Sequence, residues 1–418
     1  MTPQLLTPLE AVGEELAARV DARARRENYA SDPFQTIASE ELGELDQELE
    51  IDYRVIADFI QRTSVPQGRH WFSDIPLVIA NRKNFCVQLL YWSTATTMIH
   101  DHAFCGAFRL IRGSSLHTTY SFAPERWISD QLALGKLNCQ GSEYLHKDHI
   151  RKIAPGKDGL IHSLYHLETP SLTLLVRTHK NTAATPQLGF LRPGLAIDLQ
   201  GLADDEEVRN LARLITVMSQ QDSEIARLQS MEILRELDAP RMVRLCLDFL
   251  KFFSSDLART ELTEMVNQRH DKYLADCLSQ VLERQQLELE LKSARNAIRD
   301  PDLRYFMALL LNFNDKVSIH EMIRARFPDR DPVSQCSEWL FELSKTRSMA
   351  KALMEETAAK LSNAGFRLGA KIANCLQAEG GVSQIRDILE NERDSTEASK
   401  RLSPHPLSQI KALAPLFK

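Results

Sequence analysis

Over the first 63 residues, apolar side chains return every three or four positions, the spacing of helices with one buried face. Thr7-Pro8-Leu9-Glu10 is a start signal, with Thr7 as N-cap, Pro8 in the first turn and Glu10 placed to close a capping box. A further helix is expected over 52–62. Between them Glu40, Glu41, Glu44, Asp46, Glu48 and Glu50 form an acidic run without a basic residue. It reads as a solvated helix face, because no glycine-containing calcium-loop spacing accompanies it.

From about 70 to 199 the pattern changes to short runs rich in β-branched and aromatic residues. Strands are expected at 76–80, Phe85–Trp92, Gly106–Arg112, 116–122, Ile150–Ile153, 172–177 and 189–198. Turn clusters such as Asn81-Arg82-Lys83-Asn84 and Pro155-Gly156-Lys157-Asp158-Gly159 separate them. The long helical crossovers that a parallel sheet needs are missing, so the expectation is an antiparallel barrel or jelly roll. After Gly201 the period becomes 3.6 and stays so. Helices are expected at 205–219, 223–237, 241–253 and 271–297, and Asp300-Pro301 and Asp331-Pro332 each open another. The fold class is therefore multi-domain α+β: an N-terminal helical segment (1–69), an antiparallel β-barrel (70–200) and an all-α domain (201–418). A HEAT-like array is one arrangement of the last, although no strict repeat period emerges.

Composition narrows the class. At 418 residues, with 43% hydrophobic and 26% charged positions, the chain can bury a sizeable core. A net charge of −6, evenly spread, argues against a nucleic-acid partner, which would call for a basic stripe. No apolar stretch approaches the length of a membrane span, and Met1-Thr2-Pro3-Gln4 opens no secretory signal. Seven cysteines, an odd number without a CxxC pair, read as reduced thiols, so a cytoplasmic location is expected.

The candidate chemistry sits in the strand-rich region, which holds nine of the twelve histidines. In an extended chain, residues i and i+2 project to one face. In Met98-Ile99-His100-Asp101-His102, His100 and His102 would thus enter the barrel together, with Asp101 facing out. His162 is the choice for a third ligand. His166, four residues on, is a candidate hydrogen-bond partner of a ligand imidazole. His117 lies on the next strand, and counting through a turn does not fix which way it faces. His146 and His149 read as solvent-exposed.

Gly113 follows His102 by eleven residues, and together these residues resemble the first motif of the cupin superfamily. Pro155-Gly156-Lys157-Asp158-Gly159-Leu160-Ile161-His162 is loosely similar to the second. The resemblance covers about 76–178. In the usual first motif a Glu becomes a fourth ligand, whereas this chain has Gly106 at that spacing and Ala107 beside it. Loss of the carboxylate is similar to the cysteine dioxygenase (thiol dioxygenase) branch, and implies Fe(II) held by three neutral histidines and oxidation of a substrate by O2. Two departures stand out. The branch's crosslinking cysteine falls on Ala107, with Cys105 two residues early, and its tyrosine falls on Arg177. Its carboxylate-binding arginine has no clear counterpart, with Arg69 and Arg82 nearby, so free cysteine is not the expected substrate.

Three neutral imidazoles leave a divalent ion its full charge and open coordination positions, which favours a small anionic substrate and leaves room for O2. Arg177 or Arg109 could hold such a substrate bidentately, with Arg82 as a further binding candidate. Tyr165 or Tyr120 could donate a hydrogen bond in catalysis. The leading expectation is a non-heme iron oxygenase on a cupin barrel, with Zn, Ni or Mn as other metals for the site. A metal-binding cupin isomerase or ligand-sensing module is the alternative, as is a scaffold. The helical domain is expected to pack on the barrel and to serve a homodimer or a protein partner.

Overall fold

The computed structural model describes residues 6–344 and Leu416, apart from 46–49, 69–72, 94–96, 157–158, 180–185, 297 and 314. Arg69 and His70 thus lie outside the described residues. The N-terminal segment forms α1 (Pro8–Ala24), α2 (Ser31–Gly43) and α3 (Tyr53–Arg62). The capping box closes as expected, with Glu10 N donating to Thr7 Oγ1 (3.3 Å) and Thr7 N to Glu10 Oε2 (2.9 Å). The acidic run is not simply a solvated face. Glu41 is buried and accepts from Arg19 Nε (2.7 Å) and Arg23 Nη1 (2.8 Å), because α1 presents two arginines to this side of α2.

Eleven strands follow: β1 (Ile75–Asn81), β2 (Phe85–Trp92), β3 (Ile99–His100), β4 (Gly106–Arg112), β5 (Ser115–Ser129), β6 (Leu132–Leu145), β7 (Ile150–Ile153), β8 (Ile161–His166), β9 (Ser171–Thr178), β10 (Gly189–Leu191) and β11 (Leu195–Ile197). They build a five-stranded sheet, ordered β1-β2-β9-β4-β7, and a closed antiparallel barrel, ordered β10-β11-β6-β5-β8-β3. Expectation and structure agree on β2, β4 and β7. The stretch expected as one strand at 189–198 is instead the hairpin β10–β11.

The pleat of β2 and β9 positions the site. Phe85, Val87, Leu89 and Tyr91, with Leu172, Leu174 and Val176, pack under the N-terminal helices. The alternate residues, Gln88, Leu90 and Trp92 with Thr173, Leu175 and Arg177, line a cavity on the opposite face. Both faces are buried, so these strands read as continuous apolar runs. A glycine is needed at two places. Gly113 turns β4 into β5 at φ +85°, a conformation that L side chains avoid. At Gly106, a Cβ would lie 2.0 Å from Val176 O and 2.9 Å from Arg177 Cα, so only glycine lets β9 approach.

The chain divides into two compact units between Gln286 and Leu287, whereas the sequence places a boundary near 200. The reason is packing. Leu132 and Leu134 of β6, Leu191 of β10 and Leu195 and Ile197 of β11 share one core with Leu202, Val208, Ile215, Met242 and Leu278. Those partners come from α4 (Leu199–Asp204), α5 (Glu206–Gln221), α7 (Ala239–Asp248) and α9 (Lys272–Asn296), with α6 (Ser223–Glu236) and α8 (Asp256–Arg269) between them. In the second unit α10 (Pro301–Asn312), capped by Asp300, gathers with α11 (Lys316–Arg326) and α12 (Pro332–Ser344) around Tyr305, Phe306, Phe327 and Trp339. Among the described residues no helix is long and apolar enough to cross a membrane.

Candidate metal centre

Three histidines meet between the barrel and the five-stranded sheet. His100 on β3 lies directly across from His162 on β8, so both side chains leave the same face. His102 follows two residues after His100. The turn expected before His162 fastens it from behind: Gly156 N donates to His102 O (2.9 Å), and Leu160 O lies 3.1 Å from His102 Nδ1. One ligand-capable atom from each residue lies within 4.8 Å of those of the other two. The ring centroids form a near-equilateral triangle of 4.7, 4.9 and 4.9 Å.

Hydrogen bonds engage the Nδ1 of each ring. His100 Nδ1 donates to Met98 O (2.8 Å) and His102 Nδ1 to Leu160 O, since a carbonyl can only accept. His162 Nδ1 meets His117 Nε2 at 2.9 Å, and His117 Nδ1 meets Glu143 Oε1 at 2.8 Å. With Glu143 ionised and both rings neutral, only one arrangement gives each bond a single proton. His117 carries its proton on Nδ1 and accepts at Nε2 from His162 Nδ1–H. Glu143 is itself fixed by Arg151 Nε (2.6 Å). Every Nδ1 of the triad therefore has a hydrogen-bond partner, which makes Nε2 the ligand atom each ring would offer.

The electrostatics agree. Burial pushes the His100 imidazolium down to about 4. Burial and the neighbouring imidazoles hold His102 and His162 well below the ordinary histidine value. Three neutral, converging imidazoles are a donor set that fits a divalent cation. Among the described residues no carboxylate joins them. Asp101 points away, its Oδ1 accepting from Leu188 N (2.7 Å), and burial raises its carboxyl to about 6. The usual carboxylate position, Gly106, has no room for a side chain, and Arg177 pairs across from it on β9.

The cavity beside the triad has a volume of about 340 Å³, lined by His100, His102 and His162 together with Trp92, Phe104, Phe108 and Arg177 among others. Arg177 is only 8% exposed. Its Nε donates to Gln88 Oε1 (2.8 Å), its Nη1 to Thr178 O (3.1 Å), and its guanidinium lies 4.9 Å from the Phe104 ring centroid.

Five other sequence candidates lie elsewhere. Arg82 is bound bidentately to Glu14 of α1 (2.7 and 2.9 Å), outside the cavity. Arg109 alternates with Phe108 to the opposite face of β4, where its Nη1 donates to Leu42 O (2.6 Å) and Leu45 O (2.8 Å) and its Nη2 to Asp148. It serves the C-terminus of α2. Tyr165 falls on the face of β8 opposite His162 and Leu164, and Tyr120 accepts from Arg192 Nη2 (2.7 Å). His166 does not touch the triad: it stacks on Trp92 at 4.4 Å and meets Ser115 Oγ at 2.9 Å. The position expected of His166 belongs to His117, with Glu143 behind it. Neither Glu143 nor Gln88 carries a local sequence signal.

No family model matches the chain, and no curated protein matches it either. Among solved structures it is similar to hydroquinone 1,2-dioxygenase from Sphingomonas sp. TTNP3 with 4-hydroxybenzoate bound, at 12% identity over 27% of this chain and 68% of that one. The TM-score is 0.21, a likeness too slight to carry an inference of activity, which rests on the residues of the site.

Proposed function

We propose that this chain is a cupin-type non-heme iron oxygenase, in which His100, His102 and His162 hold Fe(II) and a small anionic substrate is oxidised with O2. The observation that carries the reading is the convergence of three buried histidines, each with its Nδ1 hydrogen-bonded, on a cavity that contains a buried arginine. When bound, iron(II) supplies a redox-active centre with open coordination positions at which substrate and dioxygen can meet. Zn, Ni or Mn would fit the same donors, and Irving–Williams affinity alone does not select iron.

The chain's own residues do the rest. Met98 O, Leu160 O and His117 Nε2 keep the triad's protons on Nδ1. Because the three donors are neutral, nothing in them offsets the charge of a bound cation, and the site selects an anion. Arg177 supplies the second positive charge and orients that anion. Trp92, Phe104 and Phe108 exclude water from the reacting region, which strengthens each electrostatic contact there.

Oxygen uptake by protein loaded anaerobically with Fe(II) tests the activity against a panel of small carboxylates and thiols. The reading expects substrate-dependent uptake that His102→Ala abolishes. Metal bound at one equivalent with no uptake from any member would overturn the oxygenase assignment and leave a metal-dependent isomerase or ligand sensor.

A further inference from the structure

The wall chemistry of the cavity narrows the substrate further, on the basis of the metal-site reading above. Arg177 is more than nine-tenths buried, yet no carboxylate among the described residues pairs with it. Its two hydrogen bonds, both to neutral oxygens, use two of the five N–H donors of a guanidinium. A buried charge without a counter-charge is costly to keep, and a ligand that brings the opposite charge removes that cost. Gln88 Oε1 and the Phe104 ring hold the guanidinium at the cavity wall.

The distance from guanidinium to triad is short. Arg177 lies 4.9 Å from the Phe104 centroid, and that ring lies 5.0 Å from His102, so the separation is at most about 10 Å, the sum of the two. Between and around them the walls are mostly apolar, with Leu90, Trp92, Phe108, Ile153, Leu164 and Leu175 beside the hydroxyls of Thr97 and Thr173. Among the described residues the one carboxylate lining the cavity is Asp204, which is exposed. An amino acid's ammonium would therefore enter a mostly apolar cavity with no buried carboxylate to pair with among the described residues. At about 340 Å³ the cavity is at the low end of the roughly 300–1,000 Å³ of small-molecule sites.

We infer that the substrate is a small organic monocarboxylate with an apolar, ammonium-free body. Its carboxylate pairs with Arg177 beside Gln88, and its body lies along Trp92, Phe108 and Leu164 toward the histidines.

Calorimetric titration of the full-length, Zn(II)-loaded protein with 3-phenylpropanoate, 3-phenylpropanamide and phenylalanine tests this. The acid should bind at least about tenfold tighter than either the amide or the zwitterion, since a charge-assisted bidentate pair is lost in the first and an ammonium is stranded in the second. Arg177→Met should bring acid and amide to equal affinity, and Arg177→Lys should recover part of the preference. Acid and amide binding alike to the wild-type protein, which needs no variant to fold, would overturn the inference. So would no binding of the acid, or a preference that survives Arg177→Met. The same acid-to-amide comparison on metal-free protein judges the arginine alone. Failure of the chain to bind metal would sink the metal-site reading, and this comparison would still decide the carboxylate.

Discussion

Replacing His117 by Phe tests the hydrogen-bond chain behind the triad. The ring is 2% exposed and packs edge-on to Phe108 and His162, so a phenyl group keeps most of the volume while removing the acceptor for His162 Nδ1–H. That N–H is buried, and leaving it unpaired costs about 1–3 kcal/mol. Part of the cost is relieved if the ring turns or takes its proton on Nε2, and either change withdraws the lone pair from the metal. Metal affinity should therefore fall about 10–100-fold, the usual size for loss of a ligand's outer hydrogen bond. Competition for Zn(II) against a chromophoric chelator at pH 7.5 measures it. His117→Gln, whose amide oxygen can reach the position of Nε2, should recover most of the loss, and Glu143→Gln should show a smaller deficit. His117→Phe binding Zn(II) as tightly as wild type would refute the reasoning. Equal losses in the Phe and Gln variants would show that packing, and not the hydrogen bond, is what matters.

Two predictions concern the frame. Gly106→Ala places a Cβ against the backbone of β9, which cannot swing aside, so urea denaturation should show a loss of about 1–3 kcal/mol or more; a change within about 0.5 kcal/mol would contradict the close approach. Arg151, with help from His117, holds the Glu143 carboxyl down to about 2 against an ordinary value of 4.5. This contribution is complete above pH 4.5, and is lost as pH falls from there toward 2, because the unfolded chain takes up its proton first. The urea midpoint of wild type should fall more than that of Glu143→Gln between pH 5.5 and 3.5. Solvent screening keeps the difference within about 1 kcal/mol. Parallel midpoints would contradict it.

Much of the barrel and all three histidines of the triad are legible in the sequence, His100 and His102 by a local rule and His162 by its place after the turn at 155–159. Alternation along an extended chain puts His100 and His102 on one face. The capping residues Thr7, Asp52 and Asp300 mark helix starts that the structure repeats. What was not legible depends on pairing across the fold. β6 contains Gly135, Gly141 and many polar positions, and is a strand because β5 binds it along most of its length. β8, which carries His162, is a short strand with no clear apolar–polar alternation, and its pairing between β5 and β3 is what makes it one. Arg109 and Arg177 look equivalent in sequence, each near the end of an apolar run. Only the sheet register shows that one faces α2 and the other the cavity. His117 joins the site through His162, 45 residues away, a separation no motif spans.

Metal analysis of the purified full-length chain tests the central claim most directly. After reconstitution with Fe(II) or Zn(II) and removal of excess ion by gel filtration, wild type should retain one equivalent per chain. His100→Ala, His102→Ala and His162→Ala should each retain less than about a tenth, because two imidazoles cannot hold a labile divalent ion against water. Circular dichroism should show the helices of each variant still folded. One equivalent retained by any of the three variants, or none by wild type, would contradict the account.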